Sequence, residues 1–466
     1  MRVKADGLLA FITLACAVVV TVGQTLPPSP LPANAPASEF SAERAVEHIR
    51  VIAKGPRPTG SIANAAARNY ILAVLKDLGL ETGTQRDGDL ENVVGRIRGT
   101  RSSSAVLLTA HLDSVAAGPG ATDDGSGVAV LLETARALIS EGPLPNTVMF
   151  LFTDFEEGGT IGAKVFIAHH PWARDVRLVI GFDAGGLTGP GVLSTTSADN
   201  GWLIQQLARA DPYVTGSSAI NALADSSTDF GRSFRPAGFS GYAFDLYWDR
   251  RIHTPEDKIE NLNLFSIQHQ GYHALSLARH FGSLNPLADS KPPDAVYFSI
   301  LRLFTVAYLS TWALPLAIAV AVVSCSILAF GLRRRILTWG GMGYGLFVLL
   351  AGLILAPLPS ILLDKALPGV PFRFIGRALD QPPQVGAVVL STFVLTVIWY
   401  SLSRRFRSTS IQDLTMGALV FMLVGMAGTS IIFPALSFAF TWPLLLSLLA
   451  CANWFYCTHA GRTRKQ

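Results

Sequence analysis

The sequence predicts an α/β domain, a mixed β-sheet sandwiched by helices, set between an N-terminal membrane anchor and a C-terminal all-α transmembrane region. Three observations predict it. Strand-like runs alternate with helical ones between residues 92 and 182. The composition turns almost wholly apolar after about residue 305. Residues 7–24 are uncharged and mostly apolar, behind Arg2 and Lys4. The 466 residues are 50% hydrophobic and 15% charged, with a mean hydropathy of +0.39. A soluble globular chain carries about 25% charged residues, so the deficit argues against an entirely soluble protein and against a disordered one. The formal net charge of +4 is small for this length, so no nucleic-acid-binding face is expected.

Residues 1–24 read as an uncleaved signal anchor. Ala33-Asn34-Ala35 resembles a cleavage site, but Pro36 follows it and disfavours cleavage. Residues 25–39, rich in Pro, Ala and Ser, read as a linker. From Ser41 an amphipathic helix is expected, then a second over 62–79. Strands are expected at 92–98, 105–112, 147–153 and 177–182, with a helix from Ser126 to Ser140 between the second and third. The soluble domain is bounded at 40–290. It contains no cysteine, since none lies between residues 25 and 300. A disulfide framework and a thiolate zinc site are therefore excluded for that region.

Residues 291–466 are expected to carry about five spans, near 306–331, 338–362, 385–403, 414–433 and 436–457, each about the 20 residues a bilayer requires. Arg333-Arg334-Arg335 fill one connecting loop, Arg404, Arg405 and Arg407 another, and Arg462, Arg464 and Lys465 follow the last span. The alternate loops are poorer in positive charge. The arginine loops and both termini are therefore assigned to the cytoplasm, and residues 25–305 to its outside, the periplasm if the source is bacterial. With the N-terminal anchor this makes six crossings, so both termini fall on one side as required. No ionisable residue sits at mid-depth in these runs. A transporter or an intramembrane protease would need such groups, so the spans are read as an anchor in the lipid bilayer.

Three expected strands run into acidic or histidine-bearing turns: Ala105–Ala110 into His111-Leu112-Asp113, Thr147–Thr153 into Asp154-Phe155-Glu156-Glu157, and Leu178–Phe182 into Asp183. Carboxyl ends of neighbouring strands converge in open α/β sheets, and ligand sites form there. His111 and Asp113 are two apart and share a face on extended chain. An imidazole that binds metal needs its other nitrogen held, and Asp113 is placed for that. Asp123-Asp124-Gly125-Ser126-Gly127 opens a helix twelve residues after His111, and Asp123 is placed to bridge two cations. Glu156 and Glu157 are adjacent, so one can bind metal while the other faces substrate. Any one of these acids reads equally as a helix cap. Their combination at these spacings does not.

The series His111-Leu-Asp-Ser, Asp123-Asp-Gly-Ser-Gly, Glu156-Glu157, Asp183 and His253-Thr-Pro-Glu-Asp257 resembles the dinuclear zinc aminopeptidases over about residues 40–282. That family includes secreted leucyl aminopeptidases, glutamate carboxypeptidase and the multi-span metallopeptidases of endoplasmic reticulum and vacuole. The spans after residue 305 resemble the membrane-anchored branch, particularly its bacterial members. The resemblance implies the zinc exopeptidase fold and two zinc ions per chain, one held by His111 and Asp183, the other by Glu157 and His253, with Asp123 bridging. It implies Glu156 as general base, Asp113 as the residue orienting His111, and a peptide as substrate. Asp257 is expected to support the second histidine, and Asp229 to lie near the substrate without ligating. Carboxylate and imidazole suit zinc.

The sequence departs from the pattern at two places. Ile252 stands where many secreted relatives carry an oxyanion-assisting tyrosine, with Tyr247 five residues before it, and Gly158-Gly159-Thr160 replace leucines after the glutamate pair. His169 and His170 read as a surface turn, and His269, His273 and His280 as structural residues of a helix. The expected activity is a membrane-anchored aminopeptidase. The alternatives are a glutaminyl cyclase-like zinc enzyme and an inactive receptor or scaffold on a peptidase fold, which predicts eroded ligands where none is missing. The oligomeric state is left open.

Overall fold

The computed structural model describes residues 26–211, 213–223, 227–284, 291–300, 303–355, 399 and 409–463. The expected anchor at 1–24 lies outside the described residues, as does the span expected at 385–403 apart from residue 399. The described residues divide into two compact units, one built from those up to Pro292 with Ser299–Ala307, the other from Pro293–Phe298 and the described residues from Tyr308 onward.

In the first unit, α1 (Ala42–Ile52) starts at Ser41, whose hydroxyl accepts from the Arg44 N–H. α2 (Ile62–Asp77) starts the same way at Ser61. There follow β1 (Glu81–Asp87), β2 (Leu90–Ile97), β3 (Ser102–His111), α3 (Gly125–Glu141), β4 (Asn146–Thr153), α4 (Ile161–His169), β5 (Val176–Ala184), β6 (Val192–Thr196), α5 (Gly201–Ala210), β7 (Thr215–Gly216), α6 (Ser218–Leu223), β8 (Gly241–Leu246) and α7 (Leu264–Ser283). The eight strands form one sheet in the order β1-β2-β4-β3-β5-β8-β6-β7. Its centre, β4-β3-β5-β8, is parallel; β1, β2 and β6 pair antiparallel. The sheet is therefore mixed, as the sequence predicts.

Every residue of β4 and β8 is buried, which suits parallel strands covered on both faces. One face of β5 carries Val179, which clusters with Leu107, Leu151, Phe166, Phe230 and Phe234. Burying each phenylalanine contributes about 1.5–3 kcal/mol. The other face carries Phe182, stacked on Phe244, which in turn stacks on His273 of α7. Glu133 of α3 is buried yet accepts from Arg44, Arg136 and the Ser41 N–H, which ties α1 to α3.

The hairpin strands β9 (Ala295–Ile300) and β10 (Phe304–Leu309) form a two-stranded sheet. β10 corrects the first expected span. Its apolar FTVAYL sequence merges with the hydropathic run, but the helical segment begins only at Ser310. In the second unit stand α8 (Ala313–Arg333), α9 (Trp339–Leu355), α10 (Ile411–Ile432) and α11 (Phe438–Thr463). Ser310–Arg333 and Ile411–Ile432 are long and apolar enough to cross a membrane. α9 and α10 meet at glycines. A Cβ on Gly417 would lie 2.2 Å from the Met342 carbonyl oxygen, and one on Gly345 would lie 2.7 Å from the Leu414 Cα. Small residues permit that approach. The Asp413 carboxylate accepts from the Thr338 N–H at 2.7 Å and its hydroxyl at 3.1 Å, joining the N-terminal ends of both helices.

Candidate metal centre

The parallel register sets the site. His111 pairs with Thr153 at the ends of β3 and β4. Asp183 pairs with Asp245 at the ends of β5 and β8. Thr109 pairs with Gly181, so His111 and Asp183 come level two places further on. α3 then brings Asp123 in from its N-terminal side, across a cis Asp123–Asp124 peptide. His253 arrives on the loop after β8, with φ of 59°.

Asp123 lies between the two histidines. Its Oδ1 is 3.1 Å from His111 Nε2, and its Oδ2 is 2.9 Å from His253 Nε2. Asp183 Oδ1 is 3.6 Å from His111 Nε2, and Glu157 Oε2 is 3.1 Å from His253 Nε2. All five residues expected as ligands are thus brought together. The donor set fits divalent zinc. It offers two imidazole nitrogens and three carboxylates, with the buried Glu157 Oε1 lacking any protein hydrogen-bond partner. Asp124 also lies within ligand distance of His111 and Asp183. Its two oxygens, however, accept from the Gly127 N–H at 2.8 Å and the His111 N–H at 3.1 Å, so it acts as a helix cap.

Asp113 lies 3.4 Å from His111 Nδ1. Its two oxygens accept from the Glu156 N–H at 3.1 Å and the Glu157 N–H at 3.2 Å. It therefore grips the turn that presents both glutamates. Asp154, two residues before Glu156, is held by Thr59, Asn64 and the Glu91 N–H. Asp257 does not turn to His253 as expected. Its oxygens accept from the Thr122 N–H at 2.7 Å and the Asp123 N–H at 3.0 Å, so it supports the bridging acid instead. Tyr247 is committed to Asp245, with its hydroxyl 3.4 Å from that carboxylate.

Charge crowding shapes the electrostatics. Burial pushes Glu156 up to about 10; His111 opposes this, while Asp183, Asp229 and Asp113 reinforce it. Burial raises Asp123 too, but the two histidines overcome it and bring it to about 2. Hydrogen bonds with Asp123 and Glu157 raise His253 to about 10. Asp229, whose Oδ2 accepts from the Thr153 hydroxyl and whose Oδ1 has no partner, is pushed by burial up to about 7. Asp245 is pushed likewise. Bound cations reverse this pressure, because they favour the ionised carboxylates.

The sequence profile of peptidase family M28 matches residues 92–278, which contain every residue of this cluster. These residues form an M28 peptidase domain. The sequence is also 31% identical over 310 residues to endoplasmic reticulum metallopeptidase 1 of Mus musculus, covering 58% of this chain and 34% of that protein. It is 32% identical over 280 residues to a vacuolar membrane protease of Candida dubliniensis, covering 55% and 30%. The chain spans about a third of the length of the curated relatives it matches. Among solved structures, the aminopeptidase from Aneurinibacillus sp. strain AM-1 overlays with a TM-score of 0.44 at 15% identity, covering 52% of this chain and 94% of that one. The Porphyromonas gingivalis glutaminyl cyclase gives 0.44 at 19%, covering 52% and 98%. Around the cluster, sequence reasoning missed Asp245, inside the matched residues, and Arg57, which precedes them and is fully buried. Two prolines flank Arg57, which was the one available signal that its backbone is fixed.

His169 ends α4, and the His170 ring accepts from the Trp172 N–H. His269, His273 and His280 lie on α7 and take structural partners: Gly191 and Tyr213, Asp211 and Gly191, and Gln206 respectively.

Proposed function

We propose that the M28 domain is a two-zinc exopeptidase, an aminopeptidase, tethered to the bilayer by its N-terminal anchor and C-terminal spans. The observation that carries the reading is the Asp123 carboxylate, with one oxygen on His111 and the other on His253. In this reading His111 and Asp183 hold one zinc, Glu157 and His253 hold the other, and Asp123 belongs to both. Zinc at such a site supplies Lewis acidity and a more acidic water. Glu156 takes the water's proton and passes it to the leaving amine. Asp113 keeps Glu156 in reach of that proton by holding its N–H, and it orients His111. The acids around the centre attract a substrate's free α-amino group, which favours cleavage at the N-terminal bond. One relative is named a vacuolar membrane protease, which supports tethering to a membrane; in the same reading residues 1–24 are the anchor, 25–39 the linker, 40–290 the extracytoplasmic peptidase and 291–466 the membrane region, with both termini cytoplasmic.

The test pairs zinc content with turnover of aminoacyl anilides, on detergent-purified wild type and Glu156→Gln. Two zincs in both proteins, with turnover in the wild type alone, is the expected result. Two zincs without turnover would reject the substrate class. One zinc with cyclisation of N-terminal glutamine would replace the peptidase reading.

A further inference from the structure

Arg57 sits in Gly55-Pro56-Arg57-Pro58, between α1 and α2. Its exposure is 0%, and it is the only lysine or arginine among the described buried residues, which include many acids. Its Nε donates to the Leu112 carbonyl at 2.7 Å, and one terminal nitrogen donates to the Pro119 carbonyl. The other terminal nitrogen has no partner. Its backbone N–H donates to the Ser114 hydroxyl at 3.0 Å, and the Ser114 N–H donates to its carbonyl at 3.3 Å. All of these bonds reach the loop that joins His111 to Asp123.

Arg57 makes no ion pair among the described residues. Buried arginines ordinarily face a carboxylate fork-to-fork. Here the guanidinium grips main-chain carbonyls, and its charge faces Asp113, Asp257, Asp124 and Asp123 at longer range. Removing a charge from water is costly, and a well-packed apolar side chain would fill the space without that cost. Packing alone therefore does not account for an arginine. The Leu112 carbonyl belongs to the peptide that leads into Asp113, and Asp113 holds the Glu156 and Glu157 N–H groups. The connection thus runs from Arg57, through one peptide and one carboxylate, to the proposed base and a proposed ligand.

We propose that Arg57 is a positioning residue of the metal centre: it fixes the loop between His111 and Asp123, and its charge offsets the mutual repulsion of the acids gathered there. The inference rests on the metallopeptidase reading. Its test uses the full chain in detergent, and measures zinc affinity by chelator competition, melting of the zinc-free protein, and kcat and KM separately. Arg57→Met is expected to weaken zinc binding by about 10- to 100-fold, to lower kcat with KM little changed, and to lower zinc-free stability by less than the loss in zinc binding. Arg57→Lys, which keeps the charge but not the fork, is expected to fall between that variant and the wild type. Wild-type affinity in Arg57→Met, or an affinity loss matched by a drop in zinc-free melting, overturns the assignment. Should Arg57→Met fail to fold, Arg57→Lys decides. Weakened zinc binding at unchanged melting supports the assignment, and wild-type affinity overturns it. A wild type that binds no zinc overturns the metallopeptidase reading itself, which is a separate result.

Discussion

The two halves of the candidate centre are built differently. His111 ends a central strand and is 2% exposed, while His253 rides a loop and is 51% exposed. The strand-borne half inherits its geometry from the register of four parallel strands. The loop-borne half depends on a left-handed backbone at His253 and on Asp257, which returns to hold Asp123. The difference teaches that one bridging carboxylate joins a rigid half to a more yielding one. In the two-zinc reading, this makes the His253 site the weaker.

Asp123→Ala should have the largest effect. It removes the group common to both halves, so zinc content should fall below one per chain and turnover should drop at least ~10³-fold, the scale of losing an electrostatic stabiliser. Metal analysis and steady-state kinetics check this. His253→Ala should cost one zinc and keep the other, whereas His111→Ala should lose both. Equal losses in the two variants would break the comparison.

The zinc-free protein should lose stability as pH rises from about 4 to about 7. Asp229 and Asp245 have native values raised to about 7 from an ordinary 3.8. A group whose native value is raised stabilises the fold below its unfolded value, and that contribution is lost as pH climbs through the native one. The loss should be roughly a few kcal/mol, and bound zinc should reduce it; melting temperatures across that pH range, with and without zinc, measure both. Asp257→Asn should weaken zinc binding by about 10-fold at little cost to melting, because one of its two backbone bonds survives. Tyr247→Phe should change least. It loses one long hydrogen bond worth about 1 kcal/mol or less, and kcat should stay within about threefold; a larger fall would give Tyr247 a direct part in the reaction.

Legibility followed the same division. Ligand candidates at strand ends were readable because apolar runs stop abruptly at charged residues, as at Ala110-His111 and Phe182-Asp183. β1 was not, because ETGTQRD lies at a sheet edge and carries polar residues on both faces. β8 was not, because a six-residue buried strand shows no alternation. Asp257 shares the His253 turn, yet its carboxylate reaches a backbone more than 130 residues away in sequence. No local spacing encodes such a contact. Arg57 was illegible for the converse reason: arginine is ordinarily a surface residue, and only the folded loop shows it buried.

The double grip of Asp113 on the Glu156 and Glu157 N–H groups has a mechanical consequence. Two adjacent residues clamped by one carboxylate translate together. When the sheet breathes, the proposed proton acceptor and the neighbouring proposed ligand shift in common mode, and their separation is conserved to first order. Thermal motion of the turn then moves the pair as a unit, leaving the internal spacing of the site to the stiffness of a single side chain.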